Sequence, residues 1–193
     1  MPRVKQFDEE TALIAAMNLF WKKGFNATSM NDLVGVLKVN RASMYDTFGN
    51  KTELFHKTLL KYQFDNAKKV ADFLYYQTNV RQGLYLLYEN HIDTLLQDQS
   101  LKGCFIANSI AELANSDERV ANLAYENQKS LEKIYMNYLQ YGVNQGQISP
   151  YKDIKVLASY FYTLENGLNL ICKVQQDKNQ ILKVVSASLS VLD

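Results

Sequence analysis

Hydrogen-bonding side chains gather at the start of one short segment, residues 41–48. Asn40 is a suitable N-cap for a helix over this segment, and Gly49 is a suitable stop. Helical spacing puts Met44 and Phe48 on one side, toward a core. The side chains on the other sides are Arg41, Ala42, Ser43, Tyr45 and Asp46. Because arginine and hydroxyl groups near a helix start can hydrogen-bond to base edges, this segment has the build of a helix that enters the major groove of DNA.

Two further helices are predicted, one on each side of this segment. Thr28 or Ser29 can cap a preceding helix with apolar residues at three-four spacing, and Lys38 begins the short break after it. On the other side, Asn50 with Glu53 three residues later gives a capping-box-like start for a long helix. Two short helices joined by a tight turn and followed by a third form a helix-turn-helix. The sequence therefore predicts a DNA-binding domain.

This N-terminal part resembles the DNA-binding domain of the TetR family of bacterial repressors. The resemblance rests on residues at fixed spacing, namely Phe7, Ala12, Ala16, Phe20, Gly24, Thr28, Leu33, Val39, Arg41, Ser43, Tyr45, Phe48, Lys51 and Leu54. The sequence departs from the family pattern at Lys38, where Gly is usual in the turn, and at Asp46, where His or another neutral residue is common. The first departure indicates a turn that either avoids positive φ or is slightly strained. The second changes what the helix can recognise.

A set of polar and small residues in this domain is predicted to touch DNA. The set is Thr28, Asn40, Arg41, Ala42, Ser43, Tyr45, Asp46 and Lys51. Arg41 can reach a guanine edge or a phosphate. Thr28, Tyr45 and Lys51 resemble family residues that contact the DNA backbone. Asp46 can accept a hydrogen bond from cytosine, or it can pair with Arg41 or Lys51 and read nothing.

The composition of the 193-residue chain is that of an ordinary globular protein, with 47% hydrophobic and 21% charged residues. Its net charge of +1 is uneven, because residues 1–63 hold nine Lys and Arg against six Asp and Glu, whereas residues 64–193 hold twelve against fourteen. The basic part, in which Arg3 and Lys5 form a potential arm, favours contact with phosphates. The sequence shows neither a secretory signal nor a run of about 20 apolar residues. We therefore expect a cytoplasmic protein that does not enter a membrane.

Helical patterns continue to the C-terminus, which predicts an all-α fold of about nine helices. We expect a helix-turn-helix DNA-binding domain over residues 1–50 and a larger helical effector-binding and dimerisation domain over residues 51–193. Pro150 is expected at the first position of the penultimate helix. Apolar stripes on the last two helices fit either internal packing or self-association. In the TetR family these two helices pair with their copies in a four-helix bundle, so the resemblance implies a homodimer through residues 150–192 on a palindromic operator.

Several side chains beyond the first domain are candidates for binding or sensing an effector. They are Tyr88, His91, Cys104, Phe105, Asn108, Tyr125 and Tyr162. The resemblance implies a cavity that takes a small molecule, although aromatic residues at helical spacing are more often core. Cys104 follows Gly103 at a predicted helix start, where Lys102 and unpaired N–H groups would stabilise a thiolate. A subset of the family carries a cysteine here that responds to oxidants or electrophiles, whereas an inert buried cysteine is the alternative.

The competing function is a helical enzyme that uses Cys104 as a thiol nucleophile. The sequence argues against it, because it has only two histidines and none of the common nucleotide-binding, zinc-protease or serine-hydrolase motifs. The two cysteines match no metal-site spacing. A carrier that does not bind DNA would leave the polar groups of residues 41–48 unexplained. We therefore expect a repressor without catalysis or cofactor, which a small molecule, an electrophile or an oxidant releases from its operator.

Overall fold

The computed structural model describes residues 8–98, 100 and 102–193, which form nine α-helices and a C-terminal 3₁₀ helix, with no strand among them. This confirms the predicted all-α fold. The helices are α1 (Glu9–Lys23), α2 (Met30–Leu37), α3 (Arg41–Phe48), α4 (Lys51–Tyr75), α5 (Val80–Gln97), α6 (Phe105–Leu113), α7 (Glu118–Asn144), α8 (Ile154–Ile171), α9 (Lys178–Ser188) and the 3₁₀ helix Leu189–Leu192. Arg3, Lys5 and Phe7, which the sequence singled out, lie outside the described residues.

The chain divides into two compact units that do not follow its linear order. The head unit contains the described residues up to Phe64 together with Phe105–Ala124. The body unit contains Asp65–Cys104 and Tyr125–Asp193. Helices α4 and α7 therefore contribute residues to both units. The functional division at residue 50 stays a prediction, because compact units describe packing and not function.

Side-chain caps set where α2 and α3 begin. At α2, the backbone N–H of Asp32 donates to Ser29 Oγ at 3.1 Å, and the backbone N–H of Ser29 donates to the Asp32 carboxylate at 2.8 Å. At α3, Asn40 Oδ1 accepts from the backbone N–H of Ser43 at 2.8 Å, as predicted. Each cap satisfies an N–H group that a helix start leaves without an intrahelical partner. The candidate DNA-contacting helix therefore starts at Arg41.

The turn between α2 and α3 places Lys38 in the left-handed region, with φ 53° and ψ 33°. Lys38 is the only non-glycine residue with positive φ in the described part of the chain. A side chain in this conformation costs about 1–2 kcal/mol. Of the two alternatives that the sequence left open for this turn, the structure shows the strained one.

Aromatic rings form the core of the head unit. The centroid of the Phe55 ring lies 5.0 Å from that of Phe20 and 4.9 Å from that of Phe25. Phe105 of α6 lies 5.8 Å from Phe55 in an edge-to-face arrangement and 6.1 Å from Trp21. Helix α6 is therefore part of the same core as the N-terminal helices.

Buried aromatic residues also hold the body unit together. Tyr88 of α5, Tyr135 of α7 and Phe161 of α8 are each fully buried. Gln147 Oε1, after α7, accepts from the backbone N–H of Val80 at 2.8 Å. This bond joins the start of α5 to the loop that follows α7.

Helix α8 begins at Ile154 and not at Pro150, so the predicted helix start was wrong. Pro150 lies in a turn. The carboxylate of Asp153 accepts from the backbone N–H groups of Lys155 at 3.0 Å and Val156 at 3.1 Å. The aspartate cap therefore sets the helix start, and the proline belongs to the preceding connection.

Candidate functional site

Helix α3 presents most of the predicted DNA-contacting side chains on one face. Met44 is fully buried and Phe48 is 4% exposed, which anchors the other face in the head unit. The outward side chains are the exposed Arg41, Ala42, Tyr45 and Asp46, with Ser43 partly exposed. A short, firmly packed helix with arginine and hydroxyl groups at its outer start can hydrogen-bond to base edges in a major groove.

Arg41 and Asp46 differ in how they are held on this face. Arg41 Nη2 donates to Asn31 Oδ1 of α2 at 2.8 Å, which orients the guanidinium group at the start of α3. Within the described part of the chain, Asp46 forms an ion pair with neither Arg41 nor Lys51. Its carboxylate is therefore available to accept a hydrogen bond from a cytosine edge, one of the two roles that the sequence left open.

Lys51 lies in the first turn of α4, at a capped helix start. The predicted capping box is present, since the backbone N–H of Glu53 donates to Asn50 Oδ1 at 3.0 Å and that of Asn50 to Glu53 Oε2 at 2.8 Å. The Lys51 ammonium group lies 4.3 Å from the centroid of the Phe25 ring, a cation–π contact. A lysine held at a helix N-terminus is well placed to bind a phosphate.

Thr28 does not lie on the exposed surface. Its side chain is 1% exposed, and its hydroxyl donates to the carbonyl of Gly24 at 2.6 Å. The predicted contact between this side chain and the DNA backbone does not fit that position, because the hydroxyl is used inside the α1–α2 loop. Asn40, in contrast, is exposed while it caps α3.

Glu112 of α6 holds the α1–α2 loop of the head unit. Its carboxylate accepts from the backbone N–H of Phe25 at 2.9 Å and from that of Asn26 at 2.7 Å. The neighbouring Gly24 has φ 82°, and a Cβ there would lie 2.9 Å from Glu112 Oε2. This residue was missed at the sequence level, because its loop partners lie more than 80 residues away in the chain.

Replacement of Glu112 by Ala is expected to destabilise the head unit by about 1–2 kcal/mol, because two hydrogen bonds to a partly solvated carboxylate are lost. Operator affinity is expected to fall as well, since the α1–α2 loop leads into α2 and α3, the two helices of the predicted helix-turn-helix. Thermal unfolding and DNA-binding titrations of the full chain measure both effects.

Glu126→Ala, at an exposed glutamate of the body unit, is the matched control for Glu112→Ala. Glu112→Gln retains one acceptor oxygen and should show an intermediate effect. Equal behaviour of the Glu112→Ala and Glu126→Ala variants would contradict a positioning role for Glu112.

A second contact inside the head unit joins α4 to the start of α7. His56 is 4% exposed, and its Nε2 lies 2.8 Å from Asp117 Oδ2. Burial raises the pKa of the Asp117 carboxyl group, but the hydrogen bond and charge of His56, with backbone N–H donors, outweigh it, so this pKa lies below its ordinary value. Nδ1 of His56 is buried without a hydrogen-bond partner among the described residues.

The body unit contains a partly open cavity of about 380 Å³ between α4, α5, α7 and α8. Its lining includes Val70, Phe73, Leu87, Tyr88, His91, Tyr135 and Glu165. Concave, mainly apolar spaces of this size with a few polar groups are typical of small-molecule sites. Two of the predicted effector-binding residues, Tyr88 and His91, line it.

A connected set of polar groups lies against this cavity. The Tyr135 hydroxyl donates to Glu165 Oε2 at 2.7 Å, and the Tyr88 hydroxyl donates to the carbonyl of Phe161 at 3.0 Å. Burial, with the charge of Glu165, raises the pKa of both tyrosines well above the ordinary value. Tyr135 and Glu165 were not among the residues predicted from the sequence, although Glu165 interrupts the apolar series of α8 between Phe161 and Leu168.

The other predicted effector-binding residues are not gathered in this cavity. Phe105 and Asn108 belong to the head unit. Tyr125 is 55% exposed. Tyr162 and Cys104 belong to the body unit and are partly exposed, but neither lines the cavity. The structure therefore distributes the predicted set over two units.

Two further features of the described residues bear on the sequence predictions. None of their helices is long and apolar enough to cross a membrane. No group of three or more His, Cys, Asp or Glu side chains among them is arranged to hold a metal ion.

Both parts of the chain match family models. Residues 12–58 match the model of the bacterial regulatory proteins of the tetR family. Residues 82–187, more than half of the chain, match the model of the tetracyclin repressor-like C-terminal domain.

Similar proteins cover the chain almost completely. The uncharacterized HTH-type transcriptional regulator YezE of Bacillus subtilis (strain 168) is 30% identical over 100% of both chains. The HTH-type transcriptional repressor ComR of Escherichia coli (strain K12) is 26% identical over 97% of this chain and 90% of its own. A cysteine mutant of the TetR family transcriptional regulator CifR, complexed with 26-base-pair operator DNA, has a TM-score of 0.86 at 24% identity, covering 97% of this chain and 98% of that chain. The reduced form of E. coli NemR has a TM-score of 0.82 at 18% identity, over 92% and 94%. These structures share the fold of this chain.

Proposed function

Because the chain belongs to the TetR family of bacterial regulatory proteins, and is thus a DNA-binding transcriptional regulator, we propose that it is a homodimeric repressor that an effector releases from its operator. The exposed face of α3 is the observation that carries this proposal. Arg41, Ala42 and Tyr45 project from this face. The helix is capped by Asn40 and anchored by Met44, so these side chains have a fixed support.

Apolar side chains of α8 and α9 support the proposed dimer. Val156, Leu170 and Val184 are each more than half exposed, as is Val174 just after α8. A second copy of the same surface would cover them, which places the proposed interface within residues 150–192. A two-fold dimer presents two copies of α3 and matches an operator that is an inverted repeat.

The proposed effector enters the body cavity that Tyr88 and His91 line. Cys104, whose partly exposed thiol lies next to the start of α6, is the proposed point of attack for an electrophile or oxidant. Effector and operator then favour different arrangements of one dimer, so each weakens the binding of the other by the same factor.

A repressor acts where the bacterial chromosome lies, so the proposed location is the cytoplasm. The competing function, a thiol-dependent enzyme that uses Cys104, has no specific observation in its favour. Both full-length relatives described above are named as transcriptional regulators.

The decisive experiment is selection from a randomised duplex DNA pool by the purified full-length protein at moderate salt. The expected result is enrichment of an inverted repeat with half-sites about 10 base pairs apart, or a multiple of that spacing. The enriched duplex then serves as the operator probe.

Retention of DNA without enrichment of any sequence, through binding that weakens as the salt concentration rises, would contradict sequence-specific recognition. Enrichment of one isolated half-site would retain α3 as the reading helix but contradict the dimer. Analytical ultracentrifugation of the free protein provides the independent check on its oligomeric state.

A further inference from the structure

Glu165 is a buried carboxylate without a cationic partner in the described part of the chain. It is 8% exposed, and the hydrogen bond that its Oε2 accepts comes from the neutral hydroxyl of Tyr135 at 2.7 Å. Burial of an ionised carboxylate is unfavourable unless a positive charge or several hydrogen bonds compensate for it. The side chain nevertheless lines the body cavity. No cation among the described residues balances the charge of Glu165, so a counter-charge would have to come from a molecule bound in the cavity.

The basic side chains near the cavity are used elsewhere or lie at its outside. Lys178 Nζ lies 2.8 Å from Asp93 and 3.4 Å from Glu89. Lys69 lines the cavity but is exposed to solvent. His91 Nε2 lies 3.0 Å from Asn169 Oδ1. The buried end of the cavity therefore carries one carboxylate, while its basic groups are solvated or paired.

The walls around this carboxylate are aromatic and aliphatic. The cavity that Glu165 lines is also lined by Phe73, Leu87, Tyr88 and Tyr135. Aromatic faces attract cations, and they attract them more strongly when water is excluded. A carboxylate in a cavity that aromatic and aliphatic residues also line is a suitable site for a positive group attached to an apolar body.

We propose that the body cavity binds an organic cation, an amine or quaternary ammonium compound with an apolar body, and that Glu165 is its counter-charge. This inference rests on the proposed function for its regulatory meaning, because the bound cation would be the effector. An anionic compound would meet Glu165 without a buried cation to balance it. A neutral compound would fill the apolar space and gain nothing from the carboxylate.

Three probes of similar shape test this proposal on the unaltered full-length protein by isothermal titration calorimetry. Benzyltrimethylammonium is the cation, neopentylbenzene is its uncharged carbon isostere, and 3-phenylpropionate is an anion of similar size. The cation is expected to bind at least about tenfold more tightly than the isostere, and the anion least tightly. Equal binding of cation and isostere, tighter binding of the anion, or no binding of the cation at any soluble concentration would overturn the proposal.

Glu165→Gln identifies the residue responsible. The amide oxygen can still accept from Tyr135, so the cavity keeps its shape while the charge is removed. The cation should lose about tenfold or more in affinity, and the isostere should be unaffected. Glu126→Gln, the same change at an exposed glutamate of the body unit that does not line the cavity, is the matched control and should leave cation binding unchanged. An equal loss of cation binding in both variants, or no loss in Glu165→Gln, would overturn the role of Glu165.

The probe comparison does not depend on whether Glu165→Gln folds, because it uses the unaltered protein. Operator affinity measured with and without the cation separates this inference from the proposed function. Cation binding that leaves operator affinity unchanged would keep the site and contradict its effector role. Absence of cation binding with normal operator binding would overturn the site and keep the repressor.

Discussion

Arg41→Ala is expected to weaken operator binding by about 1–3 kcal/mol for each protomer, which is one of the two largest effects anticipated. The guanidinium group is exposed at the start of α3 and held there by Asn31 Oδ1 at 2.8 Å. Because the proposed dimer uses two copies of α3, both losses enter one binding equilibrium. Fluorescence anisotropy with the selected operator at fixed salt measures the effect.

The pattern of the loss distinguishes the two roles open to Arg41. If the side chain contacts a guanine edge, specificity should relax at one position of each half-site. If it contacts a phosphate, affinity should fall uniformly across sequences and the salt dependence should become less steep. Arg119→Ala, at an exposed arginine of α7, is the matched control. Unchanged affinity and specificity in Arg41→Ala would refute the assignment of α3 as the reading helix.

Phe105→Ala is expected to destabilise the head unit by about 3–5 kcal/mol, the typical cost of removing a buried phenylalanine ring. Phe105 is 2% exposed, and its ring lies 5.8 Å from both Phe55 and Tyr62. The sequence made Phe105 a candidate for effector binding, whereas its surroundings favour a packing role. Chemical denaturation of the full chain, followed by circular dichroism and by operator binding, measures the loss.

The comparison with Tyr125→Ala sharpens this test. Tyr125 comes from the same predicted set but is 55% exposed, so its truncation should change stability little. Because the chain has two compact units, the denaturation curve can show two transitions, and the earlier one should shift in Phe105→Ala. A fully stable Phe105→Ala protein that had lost only its response to an effector would restore the role predicted from the sequence.

Local signals made the candidate reading helix predictable from the sequence. The bounds of α3 follow from Asn40 as the cap and Gly49 as the stop, and both act through bonds to residues within one helical turn. The capping box of Asn50 and Glu53 was predictable for the same reason. The predicted start of α8 at Pro150 was wrong because it relied on the preference of proline for the first position of a helix. The side-chain cap of Asp153 determines the start instead.

Contacts between distant parts of the chain were not predictable in this way. Glu112 of α6 accepts hydrogen bonds from the loop between α1 and α2, and nothing near Glu112 in the sequence indicates these partners. Thr28 carries a hydroxyl suited to a DNA phosphate, but tertiary packing buries it. Glu165 did leave a signal, a charged residue on the buried face of α8, which helical periodicity alone treats as an interruption.

The head unit is formed by two separate segments of the chain, and this limits how its DNA-binding helices can be transferred to another protein. A continuous segment that ends at Phe64 would carry α1, α2 and α3 but would leave Phe105 and Glu112 behind. The rings of Phe20 and Phe55 would then lose part of their cover, and the N–H groups of Phe25 and Asn26 would lose their acceptor. A chimaera that exchanges DNA specificity between relatives should therefore be assembled from two pieces, with residues 105–124 taken from the same parent as the N-terminal helices. Recombination at a single crossover after Phe64 would join cores that were not selected to fit each other.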